Sequence, residues 1–280
     1  MPGKVLVVGG TGMIGKPVVS RLAADGYDVR VMSRGATPGR VDAPGAEVIV
    51  GDPRDASAVR QAVEGCNGIY LNLPSGAELA VASAASEVGR AAGVARIVAI
   101  SGATVCEENR WFPPIEQKLR AEEVIRQSGI PYTILRPSWF MESLPRFVVK
   151  GRAAVFGDQP HPFRWVAADD YARLVEAALE RAEAANKALH VLGPEPILMH
   201  DALRRYCAAL HPGITVSTMP IWLVKALAFV TRKPLLASIA SLMAYFDRVG
   251  EMGDTAETER LLGTPATTLD QWIAGQVARP

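Results

Sequence analysis

The sequence predicts an α/β fold, a doubly wound parallel sheet followed by a smaller, mainly helical C-terminal region. Three observations lead there. Short β-branched runs alternate with longer helical patterns through the first half of the chain, and each of those helices stops at a glycine. The regular alternation ends at Arg136-Pro137, beyond which proline becomes frequent. A composition of 49% hydrophobic and 21% charged residues excludes disorder, collagen-like repeats and coiled coil.

In chain order, the strands are expected at Lys4 to Val8, Asp28 to Met32, Ala46 to Val50, Gly68 to Leu71, Arg96 to Ile100 and Tyr132 to Leu135, each β-branched or apolar as a strand buried on both faces must be. Between them come helices at Met13 to Asp25, Ala56 to Glu64, Ala77 to Ala92 and Ile115 to Ser128, stopped by Gly26, Gly65, Gly93 and Gly129. A helix from Asp170 to Ala184 and a strand at Ala188 to Leu192 are expected to return to the first sheet. Ile197 to Leu210 and the segments beyond Pro220 look mostly helical. This divides the chain into a first domain over 1–150 with return segments at about 164–195, and a C-terminal region over 196–280.

Thirty basic and 29 acidic residues give a net charge of +1 with no basic run to neutralise a row of phosphates, so nucleic acid is not an expected partner. Cys66, Cys106 and Cys207 are far apart and lack Cys/His metal spacing, and His161, His190, His200 and His211 show none either, so no disulfide framework and no metal site is expected. The strand-like run at Lys4 leaves no room for a secretory signal, which points to the cytoplasm. The apolar stretch Ile214 to Phe246 is interrupted by Lys225, Arg232 and Lys233, so no membrane span is expected, and it reads as buried packing or a lipophilic pocket.

The chemistry-bearing motif is Gly9-Gly10-Thr11-Gly12-Met13-Ile14-Gly15, which follows a strand and opens a helix. Gly9 and Gly12 let the backbone approach a pyrophosphate, which free N–H groups and the helix dipole would hold, and Gly15 would let the helix pack close to the strand. Thr11, Met13 and Ile14 complete the turn. A dinucleotide is therefore the expected ligand. Where an NAD site carries an acid at the end of the second strand, this chain has Ser33-Arg34, and a guanidinium there suits a 2′-phosphate; NADP(H) is favoured, with NAD(H) still open. Arg40 could assist. Asp52 after the third strand could accept the adenine amine or simply make a turn with Pro53. Asn72, Leu73 and Pro74 after the fourth strand, and Ser101 and Gly102 after the fifth, lie where carboxyl ends of strands form a binding crevice.

Together with Ala91-Ala92-Gly93-Val94, the run Pro131 to Pro137 before Phe140-Met141-Glu142, and Trp165-Val166 leading to Asp169-Asp170-Tyr171-Ala172, these residues resemble the atypical short-chain dehydrogenases, in particular the NmrA-like and isoflavone-reductase-like group. The likeness spans positions 1 to about 195. It implies a Rossmann fold in which Pro137 lies at the cofactor and 196–280 recognises substrate. The usual Tyr-x-x-x-Lys pair is broken, because Pro114 stands four residues before Lys118. The resemblance assigns Lys118 to ribose contact or proton transfer, and the plain alternative is a solvated helix face shared with Glu122.

Candidate donors to a developing negative charge are Lys118, Ser101 and Thr104. Trp111, Phe112, Trp139, Phe140 and Met141 are candidate walls of a substrate pocket, and Cys106 could face it. The expected activity is NADPH-dependent hydride transfer to a small hydrophobic quinone, carbonyl, imine or conjugated alkene, by a monomer or homodimer. An NADP(H)-sensing regulator without turnover and a non-redox isomerase or lyase are the alternatives on the same fold.

Overall fold

The computed structural model describes residues 3–35, 41, 43, 45–73 and 76–278. The chain begins as β1 (Lys4–Val8), α1 (Gly15–Ala24), β2 (Asp28–Ser33), β3 (Glu47–Val50), α2 (Ala56–Val63), β4 (Gly68–Leu71), α3 (Glu78–Ala91), β5 (Arg96–Ile100), α4 (Pro113–Gln127) and β6 (Tyr132–Pro137). After Pro137 it passes through β7 (Val148–Val149), β8 (Arg152–Phe156) and β9 (Phe163–Arg164), then α5 (Ala168–Glu180) and β10 (Lys187–Val191). There follow β11 (Pro196–Ile197), α6 (Met199–Leu210), β12 (Val216–Met219), α7 (Ile221–Thr231), α8 (Pro234–Phe246), α9 (Ala256–Leu262) and α10 (Leu269–Val277).

These elements form two compact units. The first comprises Met1–Pro137, Ala168–Val191 and Asp254–Thr264, and the second comprises Ser138–Ala167, Leu192–Gly253 and Pro265–Pro280. The division differs from a boundary near 150. The chain leaves the first unit as soon as β6 ends, and α9 brings a third segment back to β10, where Thr258 Oγ1 donates to the His190 carbonyl at 2.7 Å.

In the first unit all seven strands are parallel in the order β10-β6-β5-β4-β1-β2-β3. The order reverses between β1 and β4, so the carboxyl ends of those strands flank the switch point where ligands bind in such sheets. Alternate strand residues bury opposite faces, as the two-residue period requires. Leu6, Val8, Ile69, Leu71, Ile97 and Ile134 share one apolar cluster with Val59, Val81, Val88 and Ile125 of α2, α3 and α4. On the other face α1 packs beside α5. Gly26, Gly65, Gly93 and Gly129 all take the left-handed conformation after their helices.

The second unit is smaller and mixed, with β8 between antiparallel β7 and parallel β12. Its core gathers Leu144, Val155, Phe163, Trp165, Leu203 and Trp272. Trp139 sits in an aromatic cluster, its ring centroid 5.0 Å from Phe246 and 6.1 Å from Trp165. Ile214 to Phe246 is not simply buried packing, because α7 and α8 bury Val224, Ala228, Ala240 and Met243 while much of their apolar surface faces outward.

Candidate functional site

Gly9 follows β1 with φ +78°, a conformation glycine adopts without strain. Its N–H donates to the Met32 carbonyl at 3.1 Å, and its own carbonyl accepts from Gly12 N–H at 3.1 Å and from Asn72 Nδ2 at 3.3 Å. A Cβ at Gly15 would stand 2.2 Å from that same carbonyl oxygen, so Gly15 is required by the turn itself. Gly10 shares the close packing of α1 on the sheet, since its Cβ would meet Val19 and Val31 side chains at 2.9 Å.

Gly12 differs from both. A Cβ there would meet only Gly9 O at 3.4 Å and Asn72 Nδ2 at 3.5 Å, so packing within the chain does not demand glycine. Behind the turn, α1 starts with no side-chain cap and no acid in its first turn, leaving its positive dipole end to an anion. Thr11 Oγ1 lies 3.3 Å from Ser33 Oγ and ties the turn to the end of β2. Met13 is half-buried and Ile14 buried. The cradle fits a pyrophosphate.

Arg34 is exposed at the end of β2. Asp52 is not a free carboxylate: both of its oxygens accept from Arg54 Nε at 3.0 Å, and Oδ1 also accepts the Arg54 backbone N–H at 3.0 Å. The Arg54 hydrogen bonds hold the Asp52 carboxyl down at about 2, and the charge of Arg34 adds to the effect. Arg34 and Arg54 thus flank one carboxylate at the ends of neighbouring strands. Sequence reasoning passed over Arg54; the signal was a second guanidinium two residues after Gly51-Asp52. Pro74 and Arg40 lie outside the described residues. Leu73 is half-buried.

On the other side of the switch point, Ala103 N–H donates to the Pro137 carbonyl at 2.8 Å, which fixes the turn at Ser101 and Gly102 against the end of β6. The Ser101 hydroxyl donates to Glu122 Oε1 at 2.6 Å. Arg136 grips the same carboxylate through Nε at 3.0 Å and Nη2 at 2.6 Å, and Arg126 reaches Oε2 at 2.7 Å. Burial opposes ionisation of Glu122, but Arg136, Ser101 and Arg126 overcome it and the pKa falls below the ordinary value. Two expectations change as a result. Glu122 is 2% exposed and no part of a solvated helix face, and Ser101 gives its proton to Glu122, which makes it a support instead of a free donor.

Lys118 points elsewhere. Its Nζ is 3.9 Å from Glu78 Oε1, on a side chain that keeps 24% of its exposure while Glu78 keeps 1%. Glu78 is itself anchored by the Gly76 N–H, which donates to Oε2 at 2.6 Å. Burial lowers the Lys118 pKa, partly offset by the negative charges of Glu78 and Glu122. The amine therefore releases a proton more readily than an ordinary lysine. Thr104 is buried, with its carbonyl accepting from Asn109 Nδ2 at 2.9 Å.

α4 carries no tyrosine. Tyr70 and Tyr171 are fully buried in the core with raised pKa values, and Tyr27 donates to Glu180 at 3.0 Å. Cys106 is held protonated by burial and by Glu108, so it is a poor nucleophile. Trp111 is 56% exposed beside buried Phe112, their ring centroids 6.0 Å apart. Phe140 and Met141 are buried, Met141 within the core of the second unit, so their apolar surface is used in packing. Among the described residues no cluster of His, Cys, Asp and Glu could hold a metal ion, and no helix is long and apolar enough to cross a membrane.

A family model described as NAD(P)H-binding matches residues 9–182, which include the glycine turn, Arg34, Lys118 and Glu122. The chain belongs to the NAD(P)H-binding family. It is 27% identical to the (4-alkanoyl-5-oxo-2,5-dihydrofuran-3-yl)methyl phosphate reductase of Streptomyces griseus over 96% of both chains. It is 25% identical to the NAD(P)H azoreductase of Xenophilus azovorans over 98% of each. The crystal structure of the triphenylmethane reductase of Citrobacter sp. complexed with NADP(H) superposes with a TM-score of 0.77, covering 98% of this chain and 99% of that one at 18% identity, and so shares the fold.

Proposed function

We propose that the chain is an NADPH-dependent oxidoreductase that reduces a small hydrophobic acceptor of the quinone, carbonyl, imine or conjugated-alkene class. The observation that carries the cofactor half is the turn at Gly12, open on its outer side and backed by an uncapped helix start. Full-length relatives that are reductases support the redox half. When bound, the reduced nicotinamide supplies a hydride.

The chain's own residues supply the rest. The Gly9–Gly15 turn holds the pyrophosphate, and Arg34 with Arg54 meets the 2′-phosphate while Asp52 fixes Arg54 in place. Lys118 holds a proton and a positive charge at Nζ for the ribose and for the negative charge that develops on the acceptor. Glu78 positions that amine, and Ser101, Arg136 and Arg126 keep Glu122 ionised behind it.

Acceptor-dependent loss of NADPH absorbance across a panel of quinones, enones, imines and aldehydes tests the activity. Different affinities for NADP and NADPH without turnover would instead identify a sensor, and substrate conversion without net NADPH oxidation a non-redox enzyme. Arg34→Ala is expected to weaken NADPH binding by about 1.5–3 kcal/mol, the worth of a hydrogen bond to a charged group, and to leave NADH binding nearly unchanged. Fluorescence titration with each cofactor measures this, and equal weakening of both would remove Arg34 from the 2′-phosphate.

For Lys118→Met, kcat is expected to fall on the order of a hundredfold with a smaller change in cofactor affinity. The wild-type rate should decline as pH rises through the lowered lysine pKa. Lys118→Arg, whose guanidinium does not titrate in that range, should abolish this alkaline limb. A pH–rate profile of the three proteins checks both statements.

A further inference from the structure

Outside the dinucleotide site, the strongest unexplained feature is the hairpin of α7 and α8 in the second unit. The two helices pack on each other and bury Val224, Ala228, Ala240 and Met243, yet Trp222 is 69%, Phe229 85%, Val230 78% and Leu235 73% exposed. Phe229, Val230 and Leu235 flank the hairpin's turn, where Arg232 takes a left-handed conformation between the helices, while Trp222 lies at the far end of α7. Phe229, Val230 and Leu235 project there as an apolar tip. A contiguous exposed apolar surface on a folded chain marks a docking site for protein or membrane.

Charge separates those two. Lys225, Arg232 and Lys233 are all exposed on or beside the hairpin, and no Asp or Glu occurs between Asp201 and Asp247. A second copy docking through this face would bring like charges together with no carboxylate in the segment to meet them. An anionic bilayer offers both needed complements, acyl chains for Phe229 and Val230 and headgroup phosphates for the three cations. The helices have 11 and 13 residues, short of the roughly 20 that span a bilayer, so they would lie in the interface. We propose that the α7–α8 hairpin is a membrane-docking element that inserts its Phe229-Val230 tip into anionic lipid surfaces. It stands independently of the reductase reading.

The test is co-sedimentation of the full chain with vesicles of phosphatidylcholine alone and of phosphatidylcholine mixed with phosphatidylglycerol, at low and high salt. The expected result is partition favouring the phosphatidylglycerol vesicles and weakening with salt. Phe229→Asp/Val230→Asp is expected to reduce partition on the order of tenfold or more. Arg232→Glu/Lys233→Glu is expected to erase the preference for anionic lipid. Both pairs lie on exposed positions, and an unchanged thermal unfolding midpoint for each variant excludes misfolding as the cause. Absence of wild-type binding to either vesicle overturns the proposal, as does binding that neither variant alters. A concentration-dependent dimer in sedimentation velocity, abolished by Phe229→Asp/Val230→Asp with no vesicle binding, overturns it in favour of a second copy.

Discussion

Glu122→Ala is expected to destabilise the fold by about 3 kcal/mol, the scale of removing one partner from a buried ion pair. The carboxylate is 2% exposed and accepts from Ser101, Arg126 and Arg136. Its removal strands the Arg136 guanidinium, whose side chain keeps only 16% exposure, and orphans the Ser101 hydroxyl at the turn after β5. Urea unfolding monitored by far-ultraviolet dichroism measures the loss as a shift in midpoint at constant slope. Glu122→Gln keeps the shape and part of the hydrogen bonding, so its cost should be smaller.

The wild type carries a matching pH signature. The Glu122 pKa is lower in the folded chain than its ordinary value of 4.5, so its contribution is complete above that value and is lost as pH falls through the depressed folded value. Glu122→Ala should flatten this part of the acid-stability curve. Because the negative charge of Glu122 also raises the Lys118 pKa, the same substitution should move the alkaline limb of the rate profile to lower pH. An unmoved limb would separate Glu122 from the chemistry and leave it a structural role alone.

Neither of these couplings could be read from the sequence, and the reason is the distance between partners along the chain. Ser101, Glu122 and Arg136 come from the turn after β5, from α4 and from β6, and the parallel pairing of β5 with β6 helps bring them together. Spacing on α4 suggested an i, i+4 relation between Lys118 and Glu122 on a solvated face, but Lys118 turns to Glu78 and Glu122 turns inward. The strands were legible because both sheet faces are buried, which leaves unbroken apolar runs such as Val5 to Val8. The helix ends were legible because glycine marks a left-handed stop.

Beyond Pro137 the reading was weaker. There the local pattern reports apolar content without direction: Met141 is core, while Phe229, equally apolar, is exposed. The turn glycines show the same limit on a smaller scale. The motif alone groups Gly9 with Gly12 and sets Gly15 apart, and only coordinates separate those the fold requires from Gly12, which it does not.

That separation gives the second large effect. Gly15→Ala places a Cβ 2.2 Å from a backbone oxygen, and no side-chain rotation can relieve the clash. The turn must move, which is expected to cost about 1–3 kcal/mol of stability as overpacking does and to abolish measurable NADPH binding by displacing the Gly9 carbonyl and the first turn of α1. Gly12→Ala places its Cβ at an ordinary 3.4 Å, so the fold should keep its unfolding midpoint. Its methyl group nevertheless projects into the space that the pyrophosphate is proposed to fill, and NADPH affinity is expected to fall on the order of a hundredfold, about 2.7 kcal/mol. Titration and thermal melts on both variants decide the matter: a Gly12→Ala protein that melts normally and has lost NADPH places the dinucleotide against this turn, whereas one that binds as tightly as the wild type shows that the cofactor does not approach at Gly12.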